Sequence, residues 1–163
     1  MPRFAAICAF AFGTLLSAGG CAWWGDERAA VRQRLETFKD LVNAPAPEGI
    51  GSVTRAAGIS RCFTEDVTVD LGDGAAPIAG REMLMAMAVR LQPRLSEFRL
   101  DFADVGVHLS PDGQSADVAL TAEFIRRTPG SRQSMDAREY KLTMRREDGE
   151  WRIARVVAVD TLK

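Results

Sequence analysis

The chain has 163 residues, of which 47% are hydrophobic and 26% are charged. This length and composition fit one globular domain and exclude a disordered, highly charged tail. The 21 basic and 22 acidic side chains nearly balance, which excludes the strongly basic surface of a nucleic-acid-binding protein. One histidine and three cysteines leave few metal ligands, so we expect neither a metal nor a cofactor.

The amino-terminal residues predict export from the cytoplasm. Arg3 supplies a positive charge, residues 4–16 are mostly apolar, and small residues follow as far as Gly20. This is the pattern of a secretory signal peptide. The apolar run is shorter than the roughly 20 residues that cross a bilayer as a helix. We therefore interpret residues 1–20 as a signal peptide.

The end of this segment carries a possible lipidation site. Ala18-Gly19-Gly20-Cys21 resembles the lipobox of bacterial lipoproteins, although leucine is more usual where Ala18 stands. The resemblance implies that Cys21 is acylated, becomes the mature amino terminus and binds membrane lipid, with residues 21–25 as anchor and short tether. The protein would then be held in the cell envelope, and in a Gram-negative cell at the outer membrane facing the periplasm. Cleavage without acylation is the alternative.

The signal-peptide and lipobox assignments decide which cysteines remain available to form disulfides. Cys8 leaves with the signal peptide and Cys21 is acylated, so Cys62 remains alone and no intrachain disulfide can form. Cys62 has apolar neighbours and no histidine near it in the sequence. We therefore expect a buried, inert thiol rather than a reactive one.

Three helices are predicted early in the domain, which we place at residues 26–163. Apolar residues recur at helical spacing over residues 26–42, and a short helix is expected at residues 51–60. A methionine-rich helix follows over residues 81–91, and Pro93 is expected to end it. Its methionines do not share one helical face, so core packing is preferred to a soft metal site.

Strands dominate the rest of the chain. A short strand is expected over residues 67–71, and after Pro93 the apolar pattern changes to a period of 2. The first long strand changes parity between Phe102 and Val105, which predicts a β-bulge near Ala103-Asp104. Short Gly-, Pro- and Asp-rich loops make the later connections antiparallel hairpins. The expected fold is α+β, with a curved antiparallel sheet wrapped around the amino-terminal helices.

The order of four segments resembles the nuclear transport factor 2-like superfamily, which includes SnoaL-like polyketide cyclases and ketosteroid-isomerase-like proteins. The resemblance spans residues 26–159 and implies a cystatin-like cone with a pocket at its open end. It also implies a possible homodimer through the outer face of the sheet. The segments are FKDLVN at residues 38–43, FTEDVTV at 63–69, IAGRE at 78–82 and DGEWRI at 148–153.

The resemblance argues against the chemistry of the isomerase-like members. These use a carboxylate base after the short strand and a tyrosine donor on the first helix, and the two positions fall on Leu71 and Phe38. Leucine cannot accept a proton and phenylalanine cannot stabilise an oxyanion, so we assign no catalytic residue. If the protein is an enzyme, the candidates are Asp70, one residue from the base position, and His108, which strand parity places outside the cone.

Arg155 and Tyr140 are the candidate ligand-binding residues. Arg155 shares parity with Ile153 and is expected to point inward, where it would bind an anion or pair with Asp70 or Glu123. A second bulge in the last strand would turn Arg155 outside instead. Tyr140 lies on an apolar face, where its hydroxyl either meets a ligand or bonds locally.

Three functions remain open. The leading hypothesis is an exported, lipid-anchored envelope protein whose cone-shaped domain binds a partner or a small apolar ligand without catalysis. The alternative is a small pocket enzyme of the isomerase, dehydratase or cyclase type. It requires at least two of Asp70, His108 and Arg155 around one cavity. A structural dimerisation module is the third hypothesis.

Overall fold

The computed structural model describes residues 19–45, 49–72, 74–95, 98–126 and 134–159, with side chains from residue 26 onward and without those of 92–95. Residues 1–18 of the predicted signal peptide lie outside the described residues. The elements in chain order are α1 (Gly19–Asn43), α2 (Ile50–Ser60), β1 (Phe63–Asp70), β2 (Ile78–Ala79), α3 (Arg81–Leu95), β3 (Phe98–Leu109), β4 (Ser115–Arg126), β5 (Ser134–Glu147) and β6 (Glu150–Ala158).

The strands form one six-stranded sheet in the order β2-β1-β6-β5-β4-β3, and the helices pack on its concave face. The last four strands are a continuous antiparallel meander, as the short loops predict. β1 pairs in parallel with β6, so the sheet is mixed rather than wholly antiparallel. No hairpin joins these two strands, and nothing local therefore fixes their relative direction. The predicted α+β class with a curved sheet around helices is confirmed.

Helix α1 is the rod around which the sheet curls. Val31 and Leu35 on its inward stripe are 0% and 1% exposed, as the helical spacing of apolar residues predicts. The helix begins at Gly19, ahead of the predicted start at Asp26, so the expected tether at residues 21–25 is helical backbone. Among the described residues, no helix is both long and apolar enough to cross a bilayer.

The same helix closes the free edge of the sheet. The Asn43 side-chain amide donates to the carbonyl of Leu100 on β3, and its oxygen accepts the N–H of Leu100, both at 2.8 Å. Arg32 donates to the carbonyl of Val105 on the same strand at 3.2 Å. An uncovered edge strand offers unpaired backbone groups to other chains, and these contacts satisfy part of that edge.

Two β-bulges bend the antiparallel meander of β3 to β6. The bulge predicted in β3 is present, because the register shifts between Ala103 and Gly106, and Asp104 between them has a positive φ of 53°. The second lies in β6, where Ile153 pairs with Met144 and Arg155 already pairs with Thr143. One extra residue therefore reverses the parity of β6 beyond Ile153.

Helix α2 is fastened to the end of α1 by a buried arginine. Arg55 is 6% exposed and donates to the carbonyls of Leu41 and Val42 in the last turn of α1. Burial lowers the pKa of this guanidinium.

Helix α3 continues to Leu95, so the prediction that Pro93 ends it is wrong. In the last turn a proline removes only one amide from the helical ladder.

Candidate cavity

The concave face of the sheet and the three helices enclose a cavity of about 280 Å³. This lies at the lower limit of the roughly 300–1,000 Å³ typical of small-molecule pockets, and the lining is almost entirely apolar. The lining residues are Leu35, Phe38, Val42, Ile59, Phe63, Val69, Leu71, Ile78, Leu84, Met87, Ala88, Leu91, Leu100, Phe102, Leu120, Ala122, Phe124, Tyr140, Leu142, Ile153 and Val156.

Three phenylalanines form an aromatic wall on one side of this cavity. Phe38, on the inward stripe of α1, packs edge-on against Phe63 with ring centroids 5.4 Å apart. Its ring is nearly parallel to that of Phe102, at 6.4 Å and 11°. These arrangements suit the quadrupoles of the rings and leave flat apolar surface toward the cavity.

The cavity opens near Leu71 and Leu91. These lining side chains are 41% and 39% exposed, whereas most of the others are buried or half-buried. Arg138, near the start of β5, donates to the carbonyl of Leu71 at 2.7 Å and holds this part of the rim. We call the opening between Leu71 and Leu91 the mouth.

Among the described residues that line the cavity, Tyr140 alone has a polar side chain. It lies on β5 between Leu120 of β4 and Ala158 of β6, with its side chain half-buried. Its hydroxyl is the hydrogen-bonding group that the lining side chains contribute. Tyr140 therefore lines the cavity, and its role as a ligand-binding residue stays a prediction.

The positions that the resemblance assigns to a base and a donor both face the cavity. Leu71 and Phe38 line it, so the cavity presents hydrocarbon where the isomerase-like members have polar groups. Asp70 does not line the cavity. Its carboxylate accepts the backbone N–H of Gly72 at 3.0 Å, which is the local turn contact typical of aspartate.

His108 and Arg155 lie on the outer face of the sheet. Both are exposed, and neither lines the cavity. His108 pairs in register with Asp117 of β4, on the side that its parity predicts. The expected inward orientation of Arg155 is wrong, because the bulge in β6 turns it outward beside Thr143. Asp70, His108 and Arg155 are therefore not gathered around the cavity.

The sequence also raised a metal site and a reactive thiol as alternatives, and the described residues bear on both. No group of three His, Cys, Asp or Glu side chains in the described part of the chain is placed to hold a metal ion. Cys62 is 1% exposed, as predicted, and burial raises the pKa of its thiol. A buried thiol with a raised pKa is mostly protonated near neutral pH and is a poor nucleophile.

A contact that the sequence did not reveal joins α1 to β5 and β6 at the end of the domain away from the mouth. One oxygen of the Glu27 carboxylate accepts the indole N–H of Trp151 at 2.9 Å. The other accepts a guanidinium N–H of Arg146 at 2.7 Å. Glu27 lies more than a hundred residues from both partners along the chain, so no local sequence pattern predicts this contact. The DGEWRI segment, which contains Trp151, is the one part of it that the family resemblance marks.

A bent sheet wrapped around helices, with an apolar cavity between them, defines the class of nuclear transport factor 2-like cone folds. A family model for the SnoaL-like domain matches residues 53–157, and the chain belongs to this family. Curated proteins gave no match.

Solved structures share the fold at low sequence identity. A nuclear transport factor 2-like protein with a cystatin-like fold from Novosphingobium aromaticivorans aligns with a TM-score of 0.68 and 16% identity over 84% of this chain and 83% of that one. A proposed scytalone dehydratase from the same species gives 0.65 and 15% over 84% and 85%. A protein of unknown function from Mycobacterium tuberculosis gives 0.69 and 22% over 88% and 78%. These likenesses show the fold alone.

Proposed function

We propose that the protein is a lipid-anchored envelope protein whose cone-shaped domain binds a small, uncharged, apolar ligand without catalysis. The cavity lining carries the proposal, because all but one of the described lining residues have hydrocarbon or thioether side chains. Burying such a ligand removes its apolar surface from water at about 25 cal/mol per Å².

The lining also selects against charge. Among the described residues, no lysine, arginine, histidine, aspartate or glutamate lines the cavity. An ionised ligand would lose its hydration without gaining a partner, which costs several kcal/mol. The Tyr140 hydroxyl is the polar group among the described lining side chains, and a hydroxyl both donates and accepts hydrogen bonds.

A matched ligand pair tests the binding. We expect 2-naphthol, which is neutral at pH 7, to bind with a Kd of about 1–100 µM, given the efficiency of small ligands per atom. 2-Naphthoate has the same ring system with a carboxylate and should bind at least about 100-fold more weakly. Calorimetric titration measures both. If neither compound, nor any neutral apolar probe of similar size, binds below millimolar concentration, the proposed function fails.

Substitutions of two alanines on the same strand test whether the ligand binds inside the cavity. Ala122 of β4 is 4% exposed and lines the cavity, whereas Ala119 is exposed on the outer face. Ala122→Phe should fill the cavity and abolish naphthol binding, and Ala119→Phe should leave it within about twofold. Equal binding by both variants would locate the ligand elsewhere.

The anchor is tested separately. The lipobox resemblance of Ala18-Gly19-Gly20-Cys21 supports acylation at Cys21. The intact mass of the exported protein should include the lipid, and the protein should partition with membranes. Cys21→Ser should be soluble after export. A wild-type protein that carries no lipid and fractionates with the soluble proteins would refute this part of the proposal.

A further inference from the structure

The amino-terminal half of α1 is fastened to one end of the sheet. Glu27 bonds both Trp151 and Arg146, as described above, and its side chain is 13% exposed. At this end the β3–β4 and β5–β6 turns are adjacent, because the N–H of Arg146 donates to the carbonyl of Gln114 at 2.9 Å. We call this end, formed by residues 110–114 and 147–150, the hairpin end.

The mouth of the cavity lies at the other end. Arg138 on β5 contacts the rim at Leu71, and Arg146 on the same strand contacts Glu27 at the hairpin end. Arg146 is eight residues further along β5 than Arg138. At about 3.3 Å per residue, the two ends are about 26 Å apart.

Helix α1 gives an independent measure of the same separation. It runs from Glu27 at the hairpin end to Val42, which lines the cavity, fifteen residues later. At about 1.5 Å per residue this is about 22 Å. Cys21 lies six residues before Glu27 in the same helix, which places its backbone about 9 Å further from the mouth.

We propose that the anchored protein meets the bilayer with its hairpin end and holds the mouth about 25–35 Å away from the lipid headgroups. The ligand then enters from the aqueous compartment rather than from the bilayer. This inference depends on the anchor at Cys21 that forms part of the proposed function. It does not depend on the identity of the ligand.

The charges of the hairpin end indicate how it contacts lipid. Arg145 pairs with Asp66 at 2.5 Å and with Glu147 at 3.0 Å, and Arg152 pairs with Glu147 at 3.5 Å. Because these guanidinium groups already have carboxylate partners, they themselves offer little free positive charge to anionic lipids. The orientation should therefore be set by the acylated helix and be the same on neutral and anionic vesicles.

A fluorescence quenching experiment tests the orientation on the full mature lipoprotein. Cys62→Ala removes the remaining thiol, and a single cysteine is introduced by Gln114→Cys at the hairpin end or by Met135→Cys near the opposite end. Both positions are exposed, and Met135 is 63% exposed. A fluorophore on each is quenched by headgroup spin-labelled phosphatidylcholine in vesicles. We expect strong quenching at residue 114 and at least fivefold less at residue 135. The same labelled proteins carrying Cys21→Ser should show no quenching at either position.

Each outcome decides one part of the inference. Equal quenching at both positions, or stronger quenching at residue 135, overturns the orientation. A mass that lacks the lipid instead refutes the anchor and leaves ligand binding to be judged by the naphthol titration.

A second measurement needs no introduced cysteine. The association rate of 2-naphthol should agree within about twofold between the vesicle-bound lipoprotein and the Cys21→Ser protein. A mouth pressed against the bilayer would instead change that rate strongly with lipid composition.

Discussion

The contact between Asn43 and the edge strand yields the sharpest stability prediction. Asn43→Ala removes two hydrogen bonds and leaves the N–H and the carbonyl of Leu100, a residue 6% exposed, without them. Each bond contributes about 0.5–1.5 kcal/mol, and an unsatisfied buried group costs about 1–3 kcal/mol. Because the site is at the edge of the sheet and water can replace part of the loss, we expect a destabilisation of about 2–4 kcal/mol.

Urea unfolding of the Cys21→Ser protein, followed by tryptophan fluorescence, measures this loss. With a typical urea slope of about 2 kcal/mol/M, the midpoint should fall by about 1–2 M. Thr37→Ala is the matched control on the same helix, since within the described part of the chain the Thr37 hydroxyl bonds only to the helix carbonyl of Gln33. It should change stability by no more than about 0.5 kcal/mol. If Asn43→Ala behaves like this control, the edge of β3 does not depend on α1 and the reasoning is refuted.

Three further predictions concern the hairpin end, the buried thiol and the response to acid. Glu27→Ala should lower the free energy of unfolding by about 2–4 kcal/mol, because it removes two charge-assisted hydrogen bonds, and urea unfolding measures the loss. Cys62 should react with Ellman's reagent at pH 8 at least about 100-fold more slowly in the folded protein than in urea; a comparable rate would contradict its burial. The pKa of Asp101 is lowered by the backbone N–H of Phe102 and by Lys39, so its stabilisation is present above about pH 4 and lost as the pH falls through the lowered pKa. The midpoint difference between wild type and Asp101→Asn should therefore shrink between about pH 5 and pH 3, and a difference that grows in this range would reverse the assignment.

Local pattern predicts most of this fold because most of its connections are local. The inward stripe of α1, the meander of the last four strands and the bulge in β3 all follow from spacing, turn residues and a visible change of parity. The pairing of β1 with β6 joins segments from the two ends of the domain, and no turn between them fixes register or direction. The sequence therefore predicts the class of the sheet but not that it is mixed.

The placement of Arg155 shows the limit of parity as evidence. Read as a regular strand, Trp151, Ile153 and Arg155 share one face. The bulge in β6 is hidden in the sequence because Val156 and Val157 are both apolar, so either parity puts a valine on the inner face. In β3 the apolar residues change from even to odd positions, which makes that bulge detectable.

Single-residue register also decides what the cavity can do chemically. Asp70 and Leu71 are adjacent, yet the carboxylate caps a turn and the leucine lines the cavity. A shift of one residue would exchange them and place a charge among side chains that offer it no ionic partner, at a cost of several kcal/mol unless it were protonated. The same shift would require the outward-facing Thr68 to replace Val69 on the inner face. The register that keeps Val69 buried against the core is therefore the one that keeps the Asp70 carboxylate out of the cavity, so the packing of β1 and the proposed selection of an uncharged ligand have one physical cause.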